Sequence, residues 1–221
     1  MKQLLFLHGA LGCAKHWQSI CEQLRTEFDV FCPDFPGHGR KPSGPYENTL
    51  TGLSNFVQHY ASENGLRNYT LIGYSLGGYV ALNLALRQSS GLDKVITLAT
   101  KMQWDPAIAE TEILKLNVEN LQGIADKLSS EHGSNWSELI PQTHEIFRSI
   151  GSAPLTLQQM SEIRIPVSML RGERDKLVSA GETEHFAAAI PEGRFLSIPA
   201  QGHLLERMDT AELLQAIRFS L

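Results

Sequence analysis

The sequence predicts an α/β fold, in which a doubly wound, mostly parallel sheet of six strands carries helices on both faces. Two observations point to this class. Short apolar segments alternate along the chain with segments of helical length, which favours right-handed strand-helix-strand crossovers. Most of the apolar segments are nearly continuous rather than alternating, as is typical of parallel strands buried on both faces.

The predicted elements can be placed in chain order. We expect strands at residues 3–7, 29–32, 69–74, 94–99, 166–171 and 194–198. We expect helices at residues 14–26, 50–64, 76–88, 180–189 and 210–220. Open sheets of this kind bind ligands beyond the carboxyl ends of their strands, so the loops at those ends are where a site should lie.

The first predicted strand has a second interpretation. The stretch MKQLLFLHGALGC resembles a secretory leader ending at a lipid-anchor cysteine, Cys13. The apolar core before His8 is only four residues long, whereas a signal peptide needs about 7–15. We therefore expect a retained, buried strand that leads into a working loop at residues 8–12.

Residues 101–161 break the alternation of strands and helices. They contain helical stretches at 106–116, 118–131 and 137–150 and no convincing strand. Sixty residues are far more than a simple crossover needs, so we expect a small helical cap inserted into a single domain of residues 1–221. The alternative is an extra structural layer that contacts no site.

Composition and charge argue against several classes of partner. A formal net charge of -5, without a basic cluster, argues against nucleic acid as a partner. No apolar run approaches the roughly 20 residues that cross a bilayer, so no membrane partner is expected. The three cysteines lack metal-ligand spacing, which predicts reduced thiols in a cytoplasmic protein. We expect a monomer or homodimer that binds a small molecule and needs no metal or cofactor.

The segment GYSLG at residues 73–77 carries the strongest chemical signal. It follows a predicted strand directly and precedes a predicted helix, which is the context of a nucleophile elbow. Glycines on both sides of Ser75 allow a sharp, strained turn that raises the serine hydroxyl above the sheet. Because a serine hydroxyl is a poor nucleophile alone, a base and an orienting acid must lie nearby.

Candidates for both partners follow the last two predicted strands. The segment RGERD at residues 171–175 follows one strand, and PAQGH at 199–203 follows the other. This arrangement places an acid and His203 on the same edge of the sheet as Ser75. A histidine exchanges protons near neutral pH, so His203 can serve as the base. The three catalytic candidates would then occur along the chain in the order serine, aspartate, histidine. Asp175 and Glu173 are both candidates for the acid.

These motifs resemble those of small, capped, esterase-like members of the α/β-hydrolase superfamily, over essentially the whole chain. The matching segments are HGALG at 8–12, DFPGHG at 34–39, GYSLG at 73–77, GERD at 172–175 and GH at 202–203. The resemblance implies that Ser75 is the nucleophile, that His203 is the general base and then acid, and that Asp175 orients the imidazole. It also implies that the backbone amides of Ala10 and Leu76 form an oxyanion hole.

The resemblance also implies minor roles. His8 and His38 would shape loops through backbone hydrogen bonds rather than act as extra bases. Trp17, on the first predicted helix, is expected to pack behind the oxyanion loop rather than contact the substrate. Four apolar residues of the predicted cap are open between an acyl pocket and the core, namely Met102, Trp104, Trp136 and Phe147. With only two residues before the first strand, the usual N-terminal hairpin of the fold is expected to be missing.

Three functions remain open at this stage. The first is hydrolysis of a small or medium carboxylic ester through an acyl-enzyme. The second is carbon-carbon bond hydrolysis, or a lyase step like that of the menaquinone-pathway relative, with Arg40 and Arg148 as candidate contacts for an anionic substrate. The third is a triad-retaining ligand receptor in signalling. A serine in place of an aspartate argues against the haloalkane dehalogenase and epoxide hydrolase branches.

Overall fold

The computed structural model describes residues Met1–Leu221 and confirms the predicted fold class. Six strands form one fully parallel sheet in the order β2-β1-β3-β4-β5-β6. The strands are β1 (Gln3–Leu7), β2 (Asp29–Phe31), β3 (Tyr69–Tyr74), β4 (Leu92–Leu98), β5 (Val167–Gly172) and β6 (Gly193–Ile198). The order reverses at β1, so the carboxyl ends of β1 and β3 flank the crevice in which such sheets bind ligands.

Ten α-helices surround the sheet. They are α1 (Gln18–Leu24), α2 (Leu50–Glu63), α3 (Leu76–Leu86), α4 (Pro106–Lys115), α5 (Val118–Leu121), α6 (Ala125–His132), α7 (Leu139–Ser152), α8 (Leu157–Met160), α9 (Ala180–Ala189) and α10 (Thr210–Ser220). The predicted first helix begins as a 3-10 helix, Ala14–Trp17. The predicted helix 118–131 is divided into α5, a 3-10 turn and α6. None of the helices has the length and apolar character required to traverse a bilayer.

Both faces of the sheet are buried, which explains the continuous apolar strands. In β1, Leu4 and Phe6 belong to a cluster of 18 buried residues beneath α1 and α10. Leu5 and Leu7 point to the opposite face and join a cluster of 31 buried residues. Because successive strand side chains point to opposite faces, an element inserted between two cores must be apolar at every position.

The helices α4 to α8 lie between β4 and β5 in the chain and pack beside the carboxyl edge of the sheet. Helix α4 begins after Asp105, whose carboxylate accepts a hydrogen bond from the Ile108 amide at 2.7 Å. It packs against α7, whose buried residues Ile146 and Ile150 belong to the larger core. Residues of α4 and α7 line one cavity with residues that follow β1, β3 and β4, so this part of the insertion lies beside those loops.

Candidate active site

Ser75 stands alone between the end of β3 and the start of α3. Its backbone has φ 51° and ψ -114°, a conformation that a residue with a side chain rarely adopts. The Ser75 amide donates a hydrogen bond to the carbonyl of Leu98 at 2.8 Å, and the hydroxyl of Thr100 donates to the Ser75 carbonyl at 3.2 Å. These bonds to the end of β4 hold the strained turn in place.

Two glycines of the turn have no room for a side chain. A Cβ atom at Gly73 would collide with the carbonyl of Gly77. A Cβ atom at Gly77 would lie 2.6 Å from the carbonyl oxygen of His8. Helix α3 therefore approaches both β3 and the loop after β1 more closely than any other residue type would allow.

The side chains of His203 and Asp175 are hydrogen bonded to each other. The imidazole Nδ1 lies 2.8 Å from Oδ2 of Asp175, whose side chain is fully buried. The other carboxylate oxygen accepts hydrogen bonds from the amides of Leu177 at 2.8 Å and Val178 at 3.0 Å. Burial alone would raise the pKa of Asp175, but the hydrogen bond from His203 and the two amides outweigh it and lower that pKa. The carboxylate is thus held ionised against Nδ1, which leaves Nε2 for other chemistry.

Arg171 holds the aspartate loop in shape, and sequence reasoning did not identify this role. Its buried guanidinium donates hydrogen bonds to three loop carbonyls, those of Val178 at 2.7 Å, Asp175 at 2.6 Å and Glu173 at 3.2 Å. The available signal was a charged residue at the end of an apolar strand. The exposed Glu173 carboxylate accepts from the amide of Ala200 and makes no contact with His203, so Asp175 is the acid that meets the imidazole.

The two residues whose amides are predicted to form an oxyanion hole both line the cavity that contains Ser75 and His203. Ala10 lies in a turn after β1, and Leu76 is the first residue of α3. Amides in these positions have no partner within a helix or sheet, and no loop hydrogen bond occupies either one. Neither amide is therefore committed to another backbone group.

His8 and His38 have the loop-shaping contacts expected of them. His8 is completely buried; its Nδ1 donates to the Gly9 carbonyl at 2.8 Å, and its Nε2 accepts from the Phe35 amide at 3.0 Å. The Nδ1 of His38 donates to the Pro36 carbonyl at 3.0 Å. Burial lowers the pKa of His8 well below its usual value and lowers that of His38 to about 4, so both rings are neutral.

His132, at the end of α6, connects the insertion to the loops of the sheet. Its Nε2 donates to the carbonyl of Leu11 at 3.1 Å, and its Nδ1 accepts from the amide of Gly39 at 2.9 Å. Burial lowers the pKa of the ring, which fits the acceptor role of one nitrogen. Leu11 has φ 52° and follows Ala10 directly, so the insertion helps to hold the turn that presents the Ala10 amide.

A cavity of about 360 Å³ opens above Ser75. It is lined by 17 residues, of which 12 are hydrophobic. Of the four apolar residues left open by the sequence, Trp104 and Phe147 line the cavity, with ring centroids 5.1 Å apart. Met102 is fully buried in the core, and Trp136 lies elsewhere. Trp17 packs against Phe6 of β1 and donates to the Leu7 carbonyl.

The charged residues of the cavity are not the two arginines suggested by the sequence. Arg40 is exposed and donates to the carbonyl of Ser130, and exposed Arg148 pairs with two glutamates on the surface. Neither arginine lines the cavity. The prediction was wrong because the sequence does not reveal which side of an element faces inward. The charged lining residues are instead Lys101, Glu112 and Lys115.

One group of side chains has metal-binding character. Ligand atoms of Cys13, His16 and Glu131 lie within 4.8 Å of one another, and none of the three residues lines the cavity. Burial raises the pKa of the Cys13 thiol to about 11, which opposes the thiolate that a metal requires. The His16 Nε2 already contacts both carboxylate oxygens of Glu131 at 3.2 Å.

Comparison with known proteins places this geometry in context. A pimeloyl-[acyl-carrier protein] methyl ester esterase of Nitrosomonas europaea is 25% identical and is aligned over 90% of this chain and 88% of its own. A 2-succinyl-6-hydroxy-2,4-cyclohexadiene-1-carboxylate synthase of Yersinia pseudotuberculosis is 24% identical over 78% of this chain and 72% of its own.

Two solved structures share the fold. NosK from Streptomyces actuosus superposes with a TM-score of 0.85 and 20% identity, covering 99% of this chain and 96% of its own. MenH from S. aureus superposes with a TM-score of 0.82 and 20% identity, covering 100% and 93%. The sequence model of the alpha/beta hydrolase fold matches residues 2–145. The chain belongs to the α/β-hydrolase family.

Proposed function

We propose that this hydrolase cleaves a small or medium carboxylic ester through an acyl-enzyme intermediate formed on Ser75. The observation that carries the proposal is the strained Ser75 turn, which borders one cavity with a histidine already bonded to a buried carboxylate. Strained backbone persists where the surrounding structure maintains it, and active sites are where it concentrates.

In the first half of the reaction, Oγ of Ser75 attacks the ester carbonyl while Nε2 of His203 accepts its proton. Asp175 stabilises the imidazolium through the 2.8 Å hydrogen bond to Nδ1. The carbonyl oxygen becomes an oxyanion that accepts hydrogen bonds from the amides of Ala10 and Leu76, where loss of one donor typically costs about 3 kcal/mol. The bond to the alkoxy group then breaks, and the imidazolium protonates the departing alcohol.

In the second half, water replaces the alcohol. His203 takes a proton from the water, and the resulting hydroxide attacks the acyl carbonyl. The acid leaves when the bond to Ser75 breaks and the proton returns to the serine oxygen. The balance is one ester and one water converted into one acid and one alcohol.

The shape and lining of the cavity support a substrate of limited size. Its volume of about 360 Å³ is near the lower end of the range for small-molecule sites, and its walls are mainly apolar. A relative named as a methyl ester esterase is consistent with a short alcohol group. A cytoplasmic location for the enzyme remains part of the same proposal.

A second candidate is a lyase reaction that uses the same serine and histidine. It is favoured by the relative named as a 2-succinyl-6-hydroxy-2,4-cyclohexadiene-1-carboxylate synthase. In such a reaction His203 would act on a proton of the substrate, and no acyl group would be attached to Ser75. Trapping of an acyl-enzyme therefore separates the two candidates.

The test uses a fluorophosphonate probe and p-nitrophenyl esters of graded acyl length. We expect the probe to add its mass at Ser75, and we expect a burst of p-nitrophenol that disappears in Ser75→Ala and His203→Ala. Ser90→Ala and His59→Ala change an exposed serine and an exposed histidine outside the cavity, and both should behave like the wild type. A folded protein that neither reacts with the probe nor hydrolyses any ester would refute the proposal.

A further inference from the structure

The charged side chains of the cavity carry more positive than negative charge. The Nζ atom of Lys115 lies 2.9 Å from one carboxylate oxygen of Glu112, and that of Lys101 lies 3.7 Å from the other. Glu112 is the only acidic residue of the lining, so two ammonium groups share one carboxylate. We call Lys101 and Lys115 the lysine pair. Together with Glu112 they carry a formal charge of one positive unit.

This local charge is opposite in sign to that of the whole protein. The chain carries a formal net charge of -5, and 12 of the 17 lining residues are hydrophobic. The positive charge of the cavity lining therefore differs from the average charge of the protein, which is negative. The side chains of Lys101 and Glu112 are only about a quarter exposed, and electrostatic interactions are stronger in such partly desolvated places than in open water.

Lys101 is the member of the pair that is least engaged by Glu112. Its contact is the longer one, and its side chain is 27% exposed, compared with 56% for Lys115. Lys101 also follows Thr100, whose hydroxyl donates to the carbonyl of Ser75. The chain segment that carries this ammonium group is thus bonded to the backbone of the reacting serine, which brings it within reach of a small substrate.

The proposed ester hydrolysis can be made more specific on this basis. We infer that the substrate is a half-ester that carries a free carboxylate remote from the scissile ester, and that the lysine pair binds this carboxylate with Lys101 as the principal contact. This inference rests on the proposed function. One carboxylate matches the single excess positive charge, whereas a phosphate monoester carries about -1.5 to -2 charges at neutral pH and would remain undercompensated. Charge-assisted hydrogen bonds of this type are among the strong ones.

The assay compares the kcat/KM for a charged ester with that for a neutral ester of similar size. Monomethyl esters of straight-chain dicarboxylic acids place the carboxylate on the acyl side, and acetyl esters of ω-hydroxy acids place it on the alcohol side. Methyl esters of monocarboxylic acids and acetyl esters of simple alcohols are the neutral references. We expect a preference for the charged member of at least one series, and equal or lower values in both series would overturn the inference.

Three variants connect this preference to the lysine pair. Lys101→Gln should lower the charged-to-neutral ratio about tenfold, equivalent to about 1.4 kcal/mol, with little change for neutral esters. Glu112→Gln should raise the ratio, because it releases both ammonium groups. Lys15→Gln removes an exposed lysine outside the cavity and should leave the ratio unchanged. A ratio that falls equally in Lys15→Gln, or that falls in Glu112→Gln, would contradict a local site.

A binding measurement distinguishes this inference from the proposed reaction. Calorimetry with Ser75→Ala, titrated with the monomethyl ester of a dicarboxylic acid, reports the carboxylate contact without turnover. Binding that weakens in Ser75→Ala/Lys101→Gln supports the site even if no ester is hydrolysed, and then only the proposed function fails. Hydrolysis of neutral esters without any charge preference, and without charge-dependent binding, would refute the inference alone.

Discussion

Acidification should destabilise this protein through three buried histidines in and near the loop that follows β1. The rings of His8, His38 and His132 form a column, with centroids 5.0 Å apart for the first pair and 5.8 Å for the second. Burial is the first cause of a lowered pKa for all three. At acid pH the unfolded chain binds more protons at these histidines than the folded chain does. The free energy of unfolding must therefore rise with pH over the range in which the numbers of bound protons differ.

His38 supplies a magnitude for this effect. Its pKa is about 4 in the folded protein, compared with about 6.5 for an unperturbed histidine. At pH 4.5 the unfolded ring is almost fully protonated and the folded ring only about a quarter protonated, so linkage predicts a loss of about 2.5 kcal/mol relative to pH 7.5. The loss develops below pH 6.5 and is complete when the pH falls below 4. His8 adds a loss of the same sign.

The measurement is urea unfolding at pH 7.5 and pH 4.5, on the wild type and on His38→Asn. Asparagine retains a donor near the position of Nδ1 but does not titrate, so the free energy of unfolding should change about 2.5 kcal/mol less between the two pH values than in the wild type. His59→Asn, on the exposed face of α2, should retain the wild-type difference. Equal pH differences in His38→Asn and the wild type would refute the reasoning.

The remaining predictions concern the reaction and the packing of the site. Asp175→Asn should preserve the fold but lower kcat by about four orders of magnitude in ester hydrolysis, because the amide stabilises the wrong tautomer of His203. Gly77→Ala should lower the free energy of unfolding by about 1–3 kcal/mol in urea titrations, since its Cβ would lie 2.6 Å from the carbonyl of His8. Trp104→Ala should enlarge the cavity and shift the preferred acyl chain towards longer esters in kcat/KM measurements.

Two of these predictions have a control variant, and each of the three has an outcome that would contradict it. Asp105→Asn, at the cap of α4, should leave kcat near the wild-type value, and a normal kcat in Asp175→Asn would exclude an orienting role for that carboxylate. Gly123→Ala has open space around the new methyl group, so it should cost much less than Gly77→Ala, and equal costs would contradict the steric argument. An unchanged acyl preference in Trp104→Ala would show that the substrate binds elsewhere.

The strands were predictable because burial on both faces imposes a continuous apolar pattern. The boundaries of β3 coincide with residues 69–74, and β4 differs mainly by beginning at Leu92, where Asp93 interrupts the pattern. The meeting of Asp175 with His203 could be anticipated as well, because parallel strands bring their carboxyl ends to one edge.

The lining of the cavity was not predictable in the same way. Lys101 and Lys115 are separated by a loop and a helix, and nothing in their spacing indicates that both face Glu112 and the cavity. The prediction of Arg40 and Arg148 as anion contacts was wrong for the same reason. The position of a residue along an element does not reveal which groups its side chain contacts. The support that Arg171 gives to three carbonyls also depends on the folded path of a loop.

The two hydrogen bonds of His132 have a consequence for altering this enzyme by mutation. They connect α6 to the carbonyl of Leu11 and the amide of Gly39, so α6 and the turn that presents the Ala10 amide share one set of contacts. Substitutions in α6 that move His132 would disturb the position of the Ala10 amide, the donor proposed for the oxyanion. Their cost would appear in kcat rather than in KM, even though α6 contributes no residue to the cavity wall. Helix α4 and Phe147, which line the cavity without holding that turn, are the better positions at which to change substrate preference.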